Sequence, residues 1–240
     1  QFGVLAQRYF DLIRHDNFSL WVLLAVMPVI GLLLLLLGDS AALVGHTAEE
    51  IKSFLDSQGV YSIADKAQAL LFMMALSANL LGLFAAAYEI VKEQTIYRRE
   101  RMISLKLLPY LASKFAVLAV FMLLQCLLLL LVLSLKVDFP YTGAIVWSPL
   151  EYYVTLVLAA LASVALGLFI SAVAPSRDMV IYLVLLVLFA QIVFSGVIFE
   201  LSPVTRPLSY LTITRWTQEA LGTSTNMAGL NNLGQVRIER

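Results

Sequence analysis

The chain has 240 residues, of which 61% are hydrophobic and 13% charged, and its formal net charge is zero. A soluble globule is nearer half apolar and a quarter charged, and one of this length could not bury so much apolar surface, so the composition points to an integral membrane protein. The single cysteine, Cys126, lies in an apolar run, which excludes an intrachain disulfide and a cysteine metal cluster.

Residues 2–16 begin the chain with an amphipathic pattern: Phe2, Leu5, Tyr9, Leu12 and Ile13 share one helical face, and Gln7, Arg8, Asp11, Arg14 and His15 lie elsewhere. Such a helix suits the membrane surface or a partner. The start at Gln1, with no leader-like pattern after it, suggests further chain upstream. A membrane-crossing helix needs about 20 mainly apolar residues. Five stretches qualify: 18–37, 67–90, 115–135, 150–174 and 179–199. The runs are unbroken, so barrel strands are excluded and the fold class is all-α integral membrane. Asp16 or Asn17 is the expected cap of the first span, and Pro28 is expected to kink it. Ser62-Ile63-Ala64-Asp65 reads as a capping-box start to the second.

Between the second and third spans, residues 91–114 hold Lys92, Arg98, Arg99, Arg101, Lys106 and Lys114, six of the sixteen basic residues. Basic loops stay on the cytoplasmic side, so this connector and the N-terminus are expected inside and the flanking loops outside. No glycine or proline occurs from Leu83 to Leu108, so the second span is expected to continue as helix and break near Gln94–Ile96. Topology alone accounts for Lys92, Lys106 and Lys114. It does not account for Glu93 and Glu100 set among Tyr97, Arg98, Arg99 and Arg101, a mixture that suits a protein contact.

In the fourth span Ala159, Ser163, Gly167 and Ser171 recur every four residues. Such a ridge permits close helix approach, either within the chain or at a homodimer seam. After the fifth span Pro203 and Pro207 block helix continuation, and Thr214–Leu221 reads as a short helix with Thr214 as cap and Gly222 as terminator. Tyr210 and Trp216 place residues 200–240 at the outer interface as a re-entrant segment and tail. Arg206, Arg215, Arg237 and Arg240 fit that side poorly, so a sixth span is expected beyond residue 240.

The chain lacks GxxxxGK[ST], HExxH and GxSxG patterns, so no catalytic or metal residues are assigned to it, and nothing points to nucleic acid. Intramembrane polar residues are few: Asn79, Gln125, Gln191 and Ser195. They are either hydrogen-bonding glue between helices or the lining of a cavity. No acid or base lies at mid-depth, which disfavours a proton- or sodium-driven carrier.

The stretch "AAAYEIVKEQTIYRRERMISLKLLPYLASKFAVL" resembles the segment after the second span in type-2 ATP-binding-cassette exporters, above all G-subfamily permeases and their bacterial relatives. Glu89, Glu93, Tyr97, Arg98, Arg99, Glu100, Arg101, Tyr110, Ser113 and Lys114 carry the likeness. "QRYFDLIRHDNFSL" resembles the family's connecting helix, and "FSGVIFELS" with "LSYLTITRWTQEALG" its outer re-entrant segment. The resemblance implies one transmembrane domain over residues 1–240, the membrane half of an ATP-driven exporter of hydrophobic or lipid-like cargo, working as a homodimer in a bacterial inner membrane. ATP and magnesium would sit in a nucleotide-binding domain, fused or separate. Residues 93–108 would form the coupling segment, with Glu93, Tyr97, Arg98, Arg99, Glu100, Arg101 and Arg8 in contact with that domain. The cavity would lie between the second and fifth spans, with Phe72, Asn79, Gln191 and Phe194 as its candidates. The competing reading is a membrane scaffold that docks a cytoplasmic partner through the basic loop.

Overall fold

The structure, a computed structural model, describes residues 1–15, 17–38, 43, 63–101, 106–140, 143–198, 203 and 205–226. All regular elements among them are helices: α1 (Phe2–His15), α2 (Asn17–Leu37), α3 (Ile63–Ala87), a 3₁₀ turn (Val91–Glu93), α4 (Gln94–Arg101), α5 (Leu107–Leu133), α6 (Ser148–Val173), α7 (Arg177–Val193), α8 (Arg206–Ser209) and α9 (Ile213–Ser224). Three stretches are long and apolar enough to cross a membrane: Ala67–Glu93, Leu107–Leu133 and Ser148–Val173. They correspond to the second, third and fourth expected spans. The first matches α2, 21 residues with Pro28 inside. The fifth matches α7, whose 17 residues give a rise of about 26 Å, just under a hydrocarbon core of about 30 Å. It stops at Val193, short of the expected 199, because the chain turns through Gly196 at φ 78°, a left-handed conformation that glycine adopts freely.

The centre of the molecule is the packing of α3 on α6. Two glycines bring the backbones together. A Cβ on Gly82 would strike the Ala160 carbonyl, and one on Gly167 would come within 2.6 Å of the Leu83 carbonyl. Ala159, Ser163, Gly167 and Ser171 are all buried. The small-residue ridge is therefore spent inside the chain, on α3. Around this pair α5 packs on α6, α2 on α5, and α9 on both α6 and α3. Lys136 reaches back across the end of α2 and donates to the Leu35 carbonyl at 2.8 Å, satisfying an acceptor that the last helical turn leaves open.

Helix α1 folds back onto α5. Of its five expected face residues only Tyr9 is fully buried; Leu5 and Ile13 are partly buried, and Phe2 and Leu12 are exposed. Phe10, assigned to no face, stacks on Phe121 at 6.4 Å. The buried stripe is narrower than the sequence suggests because α1 packs mainly along α5, with less contact to α2.

Three further helices differ from expectation at their ends. Helix α3 ends at Ala87, before the expected break at 94–96. The cause is Ser171, whose hydroxyl accepts the backbone N–H groups of Ile90 and Val91 at 2.9 and 3.0 Å. Helix α5 begins at Leu107, not Phe115. Pro109 is tolerated in a first turn, where its missing N–H costs nothing, and the helix runs through a buried Lys114. Helix α9 starts one residue before Thr214 and continues past Gly222. Asn226, at φ 55°, takes the left-handed conformation close after its end.

Candidate functional site

Where α3 ends, the chain makes a sharp elbow through the 3₁₀ turn into α4. Four charged residues meet in this elbow. Lys114, on the second turn of α5 and 3% exposed, lies 2.8 Å from Glu93 and 3.3 Å from Glu89. Lys92 pairs with Glu89 from the other side. Two cations and two carboxylates thus balance one another. A lone buried ammonium would be costly, and two acceptors with good geometry offset that cost.

Aromatic residues close the cluster. The Lys114 ammonium sits 4.4 Å from the centre of the Tyr9 ring and 5.4 Å from that of Tyr110, favourable positions for a cation over a π face. The Tyr110 hydroxyl donates to Glu93 at 3.2 Å, and Tyr97 of α4 tilts against Tyr110 with centroids 4.8 Å apart. Burial, then the neighbouring charges of Glu89 and Glu93, push the Tyr9 phenol well above its ordinary range, so it stays neutral. Leu5, Arg8, Tyr9, Glu93, Tyr97, Tyr110 and Lys114 border a cavity of about 30 Å³ between α1, α4 and α5. Arg177, at the start of α7, donates to the Lys92 carbonyl at 3.1 Å. Six helices therefore meet at the elbow: α3 and α4, which it joins, α1, α5, α6 through Ser171, and α7 through Arg177.

Of the expected contact residues, Glu93, Tyr97 and Arg8 are brought together here. Arg99 lies exposed on α4. The backbones of Arg98, Glu100 and Arg101 belong to α4, and their side chains lie outside the described part of the structure, as do residues 102–105 of the expected coupling segment. Sequence reasoning did not assign Glu89, Lys114 or Tyr9 to the site. The signal was a charge at the inner edge of each of two apolar runs. Their pairing, 25 residues apart, was not visible.

The second set of candidates forms a separate relay in the core. Asn79 of α3 donates through Nδ2 to Thr214 Oγ1 at 2.9 Å and accepts from Ser163 of α6 at 3.0 Å. Gln191 of α7 accepts both the Thr214 N–H and its hydroxyl, each at 3.0 Å. Four helices are tied at one buried point, and α9 is held against the membrane helices by Thr214. Phe72 is buried on α3, and Phe194 is half-buried at the end of α7. Asn79 and Gln191 here act as glue between helices, the first of the two readings open from sequence.

A family model described as ABC-2 type transporter matches residues 1–224. The chain is also similar to the ABC transporter ATP-binding/permease protein Rv1747 of Mycobacterium tuberculosis, at 28% identity over 225 residues. That match takes in 90% of this chain and 24% of the relative, so the chain spans about a quarter of the relative's length.

Proposed function

The chain belongs to the ABC-2 type transporter family of integral membrane proteins, and from that premise we propose that it is the permease of an ATP-driven exporter of hydrophobic or amphiphilic, lipid-like cargo. Its nucleotide-binding domain would bind ATP and magnesium, and two copies of the permease would enclose an alternating-access pathway in a bacterial inner membrane. The N-terminus and residues 91–114 would face the cytoplasm.

The observation that best supports this reading is the charged elbow, in which Lys114 holds α5 against Glu89 and Glu93. Force applied to α4 from below would reach α1 and α5 through Tyr97 and Tyr110, and α6 through Ser171. A coupling element needs that connectivity, whereas a loop that only sets topology does not. Arg98, Arg99, Glu100 and Arg101 would supply the contact with the nucleotide-binding domain. The cargo pathway would run beside Phe72, Asn79, Gln191 and Phe194. Asn79 and Gln191 are satisfied by Ser163 and Thr214, which keeps that wall apolar until α9 shifts.

The test uses the full-length protein reconstituted in vesicles, with ATP hydrolysis and flux of a fluorescent lipid followed together. Wild type is expected to couple them. Arg99→Glu is expected to retain hydrolysis and lose flux by about tenfold or more, the scale of a typical coupling free energy. Normal flux from that variant would remove α4 from the coupling path. Hydrolysis without flux in wild type would favour the scaffold reading, and flux without nucleotide a gradient-driven carrier.

A further inference from the structure

The loop between α5 and α6 lies at the far end of the molecule from the charged elbow. Its residues 143–147, Gly-Ala-Ile-Val-Trp, place apolar side chains in the open: Ile145 is 91% exposed, and Val146 and Trp147 are exposed beside it. Exposed apolar tips are normally mobile loops with hydrated backbones. This one is not built that way. The carboxylate of Glu151, on the first turns of α6, accepts the N–H groups of Ala144 at 2.9 Å, Ile145 at 2.5 Å and Val146 at 2.7 Å. The Gly143 N–H donates to the Val146 carbonyl at 3.1 Å, and Trp147 accepts the first helical bonds of α6. Gly143 lies so close that a Cβ would come within 2.5 Å of the Glu151 carboxylate and 2.7 Å of the Val146 carbonyl.

Four consecutive backbone donors are thus consumed internally, three of them by one charge. Water needs no such arrangement, because it would satisfy those donors itself. Entry into lipid does, since each amide left unsatisfied in hydrocarbon costs several kcal/mol. Continuity supports the same occupant. Trp147 sits three residues before Leu150, and Leu150, Val154 and Leu158 follow at intervals of four as an exposed apolar stripe along α6. Because α6 is long and apolar enough to cross a membrane, that stripe would face hydrocarbon, and the loop prolongs it. Trp147, at the helix start, occupies the level where tryptophan partitions best.

The geometry points to a fixed interfacial anchor: residues 143–147 insert Ile145, Val146 and Trp147 into the phospholipid leaflet at this end, and Glu151 is the positioning residue that makes the backbone fit to enter. The anchor does not depend on which cargo the protein moves.

The test places a nitroxide at Ile145→Cys in the full-length protein, stripped of other reactive cysteines and reconstituted in phosphatidylcholine vesicles. Collision with oxygen, which concentrates in lipid, is compared with collision with a water-soluble nickel chelate. Oxygen access exceeding nickel access, at a depth of about 5–10 Å below the phosphates, is expected. Nickel access exceeding oxygen access would place the tip in water and overturn the anchor. Protection from both reagents would place it against protein, as a second copy would, and overturn it equally. Glu151→Ala should move the label by several-fold toward nickel, and Glu151→Gln, which retains one acceptor oxygen, should fall between. A label that keeps its full depth in Glu151→Ala would remove Glu151 from the anchor.

Discussion

Lys114 illustrates how a single residue can be misread from its type. In the sequence it is one more positive charge in a basic connector. In the fold it is buried between two carboxylates and two tyrosine rings. Removing one member of such a cluster leaves uncompensated charge. Lys114→Met is expected to lower stability by about 3–5 kcal/mol, read as a fall in the thermal midpoint in detergent. Adding Glu89→Gln and Glu93→Gln should recover a large part of that loss, because the stranded carboxylates disappear. If the triple variant is no more stable than Lys114→Met, the cost is one of packing and not of charge. The charged and aromatic character of the elbow was legible in sequence: Glu93, Tyr97 and Arg8 were each expected to contact a nucleotide-binding domain, and in the fold they border one cavity. The depth of the cluster was not, since burial depends on α1 folding over α5, and nothing in Tyr9 itself announces that contact.

At the scale of elements, the spans were the most legible feature, because long apolar runs have few alternatives. Their ends were the least. Helix α3 was expected to continue past residue 90, and no local breaker says otherwise. It stops because Ser171, some 80 residues away, captures two of its N–H groups. Ser171→Ala is expected to free those donors at a cost of about 1–3 kcal/mol, and amide exchange at Ile90 and Val91 should accelerate. Unchanged exchange would mean that the elbow is set elsewhere. The spacing of Ala159, Ser163, Gly167 and Ser171 correctly announced a close helix approach, but small residues state the distance and not the partner. Gly82 on α3 completes the seam. Gly82→Ala is expected to destabilise by about 1–3 kcal/mol, because the Ala160 carbonyl it meets is backbone and cannot rotate away. The Thr214 misassignment has a similar origin. As a candidate cap it was judged by its neighbours in sequence, while its hydrogen bonds go to Asn79 and Gln191 on other helices.

For the whole molecule, the glycine seam makes α3 and α6 one stiff unit, with the other elements arranged around it. Amides of the facing segments, 78–86 and 159–170, are therefore expected to exchange slowest and to respond in parallel when nucleotide is added to the full-length protein. Divergent responses would show that the two helices slide past each other.

Helix α6 is pinned at both ends: a hydroxyl grips the elbow at Ser171, and a carboxylate grips the distal loop at Glu151. A rod of 26 residues, about 39 Å long and fastened in this way, acts as a gauge of the sheet it crosses. Lengthening or shortening the acyl chains should then tug on the bonds to Ile90 and Val91, at fractions of a kcal/mol per Å of mismatch. On the coupling proposed above, nucleotide turnover in the full-length protein would follow bilayer thickness, and Ser171→Ala would flatten that dependence.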